Sequence, residues 1–130
     1  MQDQITFYER KLAYEIDPSD LFEALKTSQD YIVVDTRQEF GFEKEHIPTA
    51  INLPHRKITE QYTKNLDRKK IYVCYCDGIG CNASTKGALK LTRLGYNVRE
   101  LIGGIAWWKF DGYATEGTKP TSGSQFECAC

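Results

Sequence analysis

The chain has 130 residues, with 17 Lys and Arg against 18 Asp and Glu, a formal net charge of −1, and 41% hydrophobic residues. That length suits one domain with one core, and so even a charge balance gives nucleic acid or an anionic membrane no reason to bind. No apolar run approaches the ~20 residues of a membrane span. Residues 1–6 lack the basic and apolar regions of a secretion signal, so the expected compartment is the cytoplasm, where the five cysteines point to thiol chemistry or metal rather than a disulfide framework.

In chain order, residues 7–13 read as a short helix or an arm, and residues 14–16 as a short edge strand. Asp17-Pro18-Ser19-Asp20 opens a helix: Asp17 caps, Pro18 suits the first helical position, and Asp20 sits beside the positive dipole end. Leu21, Phe22, Ala24 and Leu25 form its apolar stripe. Residues 31–34, Tyr-Ile-Val-Val, are a continuous apolar run of the kind a buried parallel strand shows, and Asp35-Thr36-Arg37 stands at its carboxyl end. Residues 38–45 suit one helical turn, residues 50–53 a short strand stopped by Pro54, and residues 55–64 a helix with Ile58 and Tyr62 on one face.

The stretch Ile71-Tyr72-Val73-Cys74-Tyr75-Cys76-Asp77-Gly78-Ile79-Gly80-Cys81-Asn82-Ala83-Ser84 is strand, tight loop and helix start. This order puts Cys76 at the carboxyl end of a strand, facing loop amides and a helix N-terminus. Such an end carries about half a positive charge and favours an anion. A cysteine reacts as thiolate, and its free pKa near 8.5 falls in that setting. Residues 84–94 are a helix with Ala88, Leu91 and Leu94 inward, ended by Gly95. Residues 97–101 are a further strand, closed by Gly103-Gly104. Residues 105–110 are a short helix with one tryptophan, of Trp107 and Trp108, in the core and the other on the rim.

Strands alternating with helices predict an α/β fold: an open, mainly parallel five-stranded sheet with helices on both faces. Ligands of such sheets bind outside the carboxyl ends of the strands. Residues 35–37, His55 and Arg56, the Cys76 loop, and Gly103-Gly104 leave that edge and are expected to converge there. One domain is expected over residues 1–117, with residues 1–15 as an N-terminal arm or helix. Residues 118–130 are expected to be a flexible tail ending in Cys128-Ala129-Cys130.

Asp35-Thr36-Arg37, then residues 45–54 (EHIPTAINLP), then Tyr75-Cys76, then Gly95-Tyr96-Asn97-Val98 and residues 101–107 (LIGGIAW) resemble a rhodanese domain over residues 16–117. The resemblance implies the rhodanese-like fold and a single-domain sulfurtransferase. In it Cys76 takes sulfane sulfur as a persulfide from a small donor or a protein persulfide carrier and passes it to a thiol or cyanide. Asp77, Gly78, Ile79, Gly80, Cys81 and Asn82 would cradle the sulfur, with Arg37, His55 and Arg56 supplying charge or a proton from neighbouring strand ends. No cofactor and no resident metal is expected.

The chain departs from the family's pattern where members carry an arginine about five residues after the cysteine: here stands Cys81, and no Arg or Lys occurs between Cys76 and Thr85. That weakens the case for thiosulfate, a dianion, and for a rhodanese-like phosphatase, which needs an arginine on the transferring phosphoryl group. The alternative reading is a catalytically silent binding or redox-sensing module with a Cys76–Cys81 disulfide. Cys74 is expected to be a buried, inert thiol, His46 a structural histidine, and Asp35 with Arg37 a pair that ties the strand end to its neighbours. Cys128 and Cys130 leave three readings open: a sulfur acceptor, a soft-metal ligand pair, or an end without consequence.

Overall fold

The computed structural model describes residues 1–123. The expectations for Cys128 and Cys130 fall outside the described residues. The elements in chain order are α1 (Gln2–Tyr14), β1 (Glu15–Ile16), α2 (Pro18–Thr27), β2 (Tyr31–Asp35), α3 (Glu39–Lys44), β3 (Ile51–Asn52), a 3-10 turn (His55–Lys57), α4 (Glu60–Thr63), β4 (Ile71–Tyr75), α5 (Ala83–Arg93), β5 (Asn97–Leu101) and α6 (Gly104–Phe110).

The strands form one five-stranded sheet in the order β1-β5-β4-β2-β3, every pair parallel. The register pairs Asp35 with both Asn52 and Tyr75, and Cys74 with Glu100. The carboxyl ends of β2, β3 and β4 therefore lie level. Alternate residues feed two cores. One face collects Val33, Val73, Tyr75 and Leu101 beneath Leu21 of α2 and Ile105 and Trp108 of α6. The other collects Val34, Tyr72, Cys74 and Val98 beneath Leu91 of α5 and Ile58. Both faces are covered, which is why the central strands read as unbroken apolar runs.

Local expectations hold at α2, where the Asp17 carboxylate accepts the Asp20 N–H at 2.8 Å and Pro18 starts the helix. Of the two readings of the N-terminal residues, arm or helix, the structure has the helix, α1, which is longer than residues 7–13 and has no buried residue. Two expectations are corrected. The helix expected over residues 55–64 is two short pieces. Ile58 is extended between them, and the Thr59 hydroxyl caps a new turn by accepting the Tyr62 N–H at 3.1 Å. Ile58 is buried and Tyr62 exposed, so they do not share an inward face. The tail does not leave the domain at residue 118. Thr118 and Lys119 donate their N–H groups to Glu43 O and Lys44 O, and the Thr121 hydroxyl donates to the Glu45 carboxylate. The Gly- and Ser-rich composition gave no sign of these partners.

Among the described residues no helix is long and apolar enough to cross a membrane, and no cluster of three or more His, Cys, Asp or Glu is placed to hold a metal ion.

Candidate active site

Cys76 follows the last residue of β4, and both ends of its loop are pinned. Its carbonyl oxygen accepts the Ile105 N–H at 3.0 Å, and that of Asp77 accepts the Ala106 N–H at 2.9 Å, so the first turn of α6 fixes where the loop begins. At the other end Asn82 O accepts the Lys86 N–H at 3.0 Å, joining the loop to α5. Between them the Cys81 N–H donates to Gly78 O at 3.1 Å and turns the chain back. Cys76 and Cys81, with Cα atoms 6.2 Å apart, are joined by a disulfide. Among the described residues, the N–H groups of residues 77–80 and 82–84 have no protein acceptor. They are the free donors of a loop and a helix N-terminus, the arrangement that stabilises an anion. The Cys81 N–H is not among them.

The disulfide forms part of the wall of an open groove of about 600 Å³. Thr36 and Arg37 line it from the end of β2, His55, Arg56 and Lys57 from the 3-10 turn, and Cys76, Asp77 and Cys81 from the loop; Gln38, Glu39 and Phe40 form a further wall. Main-chain bonds enforce the convergence. Thr36 donates both its N–H and its hydroxyl to Tyr75 O, at 3.0 and 2.8 Å, and Thr36 O accepts the His55 N–H at 3.0 Å. Gly78, Ile79, Gly80 and Asn82 instead line a second cavity of about 280 Å³, with Ser84, Thr85 and Glu100; Cys81 touches both spaces. Gly104 packs under the loop, whereas neither Trp107 nor Trp108 lines the groove. Trp108 is buried and Trp107 is on the surface, as expected.

The charges are arranged unevenly. Arg37 Nε and an Nη donate to Asp35, the latter at 2.7 Å; the same Nη reaches Gly41 O and Glu45 O, and the other Nη reaches the Asp77 carboxylate at 3.0 Å. Burial opposes its charge, but the bonds to Asp35 and Asp77 outweigh burial and push its pKa upward. Arg37 is thus a permanent cation with most of its donors engaged. Asp77, next to Cys76 in sequence, has its charge offset by Arg37. Lys57 pairs with Glu39 at 3.1 Å. Arg56 is exposed, and no described carboxylate lies within salt-bridge distance of it. His55 is held below its ordinary pKa by burial and by Lys90, Lys86 and Arg56, which favours the neutral imidazole at neutral pH. Cys74 is buried and its pKa is pushed upward by burial, so its thiol stays protonated. The His46 Nδ1 lies 2.7 Å from Phe42 O and its ring stacks on Phe42, a structural placement.

A family model described as the rhodanese-like domain matches residues 18–111. The chain belongs to the rhodanese-like domain family. Over 87 residues this rhodanese-like chain is 34% identical to the thiosulfate sulfurtransferase GlpE of Coxiella burnetii, an alignment spanning 65% of the chain and 78% of that protein. It is also 34% identical over 107 residues to the adenylyltransferase and sulfurtransferase UBA4 of Candida albicans, covering 75% of the chain but only 24% of that much longer protein. The crystal structure of BH2092 from Bacillus halodurans superposes with a TM-score of 0.88 at 40% identity, over 98% of this chain and 94% of that one. The rhodanese-like domain and its parallel sheet are what the sequence predicted.

The motifs did not reveal Phe40, Gln38 and Glu39 as groove walls. They lie at the start of α3, with Gln38 as its N-cap, and the charged composition there reads as a plain surface turn. Glu45, which ties Arg37 to the C-terminal segment, was equally unmarked.

Proposed function

We propose that this rhodanese-like domain is a sulfurtransferase whose nucleophile is Cys76. The observation that carries the reading is the position of Cys76: at the carboxyl end of the central strand, in the wall of the groove, and at the start of a loop whose N–H groups, with those of the first turn of α5, have no acceptor among the described residues. In the dithiol state the Cys76 thiolate attacks the sulfane sulfur of a donor. The new Sγ–S bond forms as the donor's S–S bond breaks, and the donor leaves as a thiolate or, from thiosulfate, as sulfite. The loop amides hold the persulfide anion, and an acceptor thiolate or cyanide then removes its outer sulfur, returning Cys76 as thiolate. A groove of about 600 Å³, open at its mouth, admits a small persulfide or the exposed tip of a protein carrier. GlpE is named a thiosulfate sulfurtransferase and UBA4 carries a sulfurtransferase activity in its name; both support transfer as the chemistry.

Intact-mass measurement tests this. The reduced protein, incubated with glutathione persulfide or thiosulfate and quenched early, should gain one sulfur atom, and the Cys76→Ser variant none. No added sulfur with either donor, on wild type and on Cys81→Ser alike, would remove the reading.

The disulfide itself favours a second reading: a redox-sensing module in which Cys76–Cys81 forms under oxidant and no sulfur is transferred. It requires peroxide to close the disulfide reversibly and persulfide donors to leave no mass on Cys76.

A further inference from the structure

We infer that Cys81 is a resolving nucleophile: it attacks Cys76 Sγ of the persulfide, expels the outer sulfur as sulfide and leaves the Cys76–Cys81 disulfide. The inference rests on the Cys76 persulfide proposed above and adds a fate for its sulfur that needs no external acceptor.

Three observations carry it. The loop already joins the two sulfurs, with Cα atoms 6.2 Å apart inside the ordinary range for such a bond. The joining requires no rearrangement of the frame, because both ends of the loop are held: Cys76 O by Ile105 N–H, and the Asn82 end by Lys86 N–H. The turn that returns Cys81 to Cys76 is closed by its own N–H on Gly78 O. A thiol tethered in this way meets its target at an effective concentration on the order of millimolar or higher. Finally, Cys76 is 2% exposed while Cys81 is more open and borders both cavities. Cys81 is therefore already within bonding reach of Cys76 Sγ, whereas an external acceptor has to come in through the groove.

The step balances. Cys76-Sγ-SH and Cys81-SH become Cys76-Sγ-Sγ-Cys81 and hydrogen sulfide. The Sγ–Sγ bond forms as the Sγ–S bond to the outer sulfur breaks. The outer sulfur gains two electrons and leaves as hydrosulfide with the thiol proton, and the two cysteine sulfurs together lose two electrons. Attack on the outer sulfur instead would only move the persulfide to Cys81 and release nothing. Resetting takes a dithiol reductant. Its first thiolate attacks the more accessible Cys81 Sγ, and the Cys76 thiolate leaves toward the amides that stabilise it. Its second thiol then frees Cys81 and the reductant departs as a disulfide. The resulting class of reaction is reductive release of sulfane sulfur as sulfide, driven by a dithiol.

The test uses the full chain, reduced and desalted, in wild-type form and as Cys81→Ser, Cys76→Ser and the double variant Cys128→Ser/Cys130→Ser. Each receives one equivalent of glutathione persulfide with no other thiol, and is followed by intact mass, peptide mapping and sulfide capture with a bimane reagent. Wild type and the tail double variant should release close to one sulfide per chain above the Cys76→Ser blank and end as the Cys76–Cys81 disulfide. Cys81→Ser should hold the added sulfur at least about tenfold longer, releasing it only when a thiol is added. If Cys81→Ser is loaded but wild type keeps its persulfide just as long, or the mapped disulfide joins Cys76 to Cys128 or Cys130, Cys81 is not the resolving residue while the transferase reading stands. If no variant is loaded, including Cys81→Ala as a second substitution, both fall.

Discussion

Gly104 lies directly against the carbonyl oxygen of Cys76. A β-carbon at Gly104 would overlap that oxygen and stand 2.9 Å from Gly78 N, and the residue sits at φ +61°, where side chains are disfavoured. The neighbouring Ile105 N–H is the donor that holds Cys76 O. The first residue of α6 thus sets the start of the Cys76 loop through backbone contact alone.

Gly104→Ala should therefore disturb both stability and chemistry. Left-handed strain and overpacking each cost about 1–3 kcal/mol, so a loss of roughly 2–4 kcal/mol is expected in urea unfolding, with slower persulfide loading of the folded fraction. Gly80→Ala is the control. A β-carbon there meets nothing within 4 Å, and its stability should stay within about 0.5 kcal/mol of wild type. Equal losses in both variants would mean that Gly104 is not a close-packed support of the loop.

Arg37 makes two ion pairs of very different worth. Asp35 is fully buried and also accepts the Tyr75 hydroxyl at 2.8 Å, so Arg37→Ala strands a buried carboxylate; such losses run to about 3–5 kcal/mol. The Asp77 side chain is 74% exposed, so Asp77→Ala should cost no more than about 1 kcal/mol. Thermal or urea unfolding of the two variants separates the pairs. Comparable stabilities would contradict the role of Arg37 as anchor of the β2 end.

The sheet was legible because its signals are local. Residues 31–34 and 71–75 are apolar runs that only burial on both faces explains, and Asp17-Pro18 announces a helix start. The family motifs then located Cys76 and the segments that converge on it. The state of Arg37 was not legible, since a sequence shows a cation but not that Gly41 O and Glu45 O, contributed by the following turn, occupy its donors. The split of residues 55–64 was hidden for a related reason. Thr59 competes for the backbone by capping, and a period of four between Ile58 and Tyr62 looks the same whether or not the helix breaks. Thr121 was read from its Gly- and Ser-rich neighbours as linker, although its hydroxyl on Glu45 and its main-chain bonds with Thr115 hold it.

Arg56 is the groove's available cation. Arg37 is engaged, Lys57 is paired, and His55 is kept below its ordinary pKa by burial and nearby positive charge. Arg56→Gln should reduce loading from thiosulfate about two- to fivefold, the effect of losing on the order of 0.5–1 kcal/mol from one exposed charge, and the difference should shrink in high salt. It should also raise the His55 pKa, because one of the cations that lower it is gone; NMR titration of the imidazole reads this directly. An unchanged His55 titration together with unchanged thiosulfate kinetics would take Arg56 out of the site.

Glu45 joins the end of α3 to the C-terminal segment and gives stability a pH dependence. Burial works against its charge, but hydrogen bonds from Thr115, Thr121 and Lys109, with the Lys109 charge, hold its pKa at about 2. An unfolded glutamate titrates near 4.3. Because the folded value is the lower one, the unfolded state takes up protons first, and stability falls as pH drops. The contribution is complete above about pH 5 and lost progressively toward pH 2. Glu45→Gln should therefore cost about 1–2 kcal/mol at neutral pH once solvent screening is allowed for, and the gap to wild type should narrow steadily between pH 5 and pH 2 in urea unfolding. Thr121→Val removes one of the same donors and should show a smaller gap over the same window. A gap independent of pH would mean that the Glu45 charge does not secure this segment.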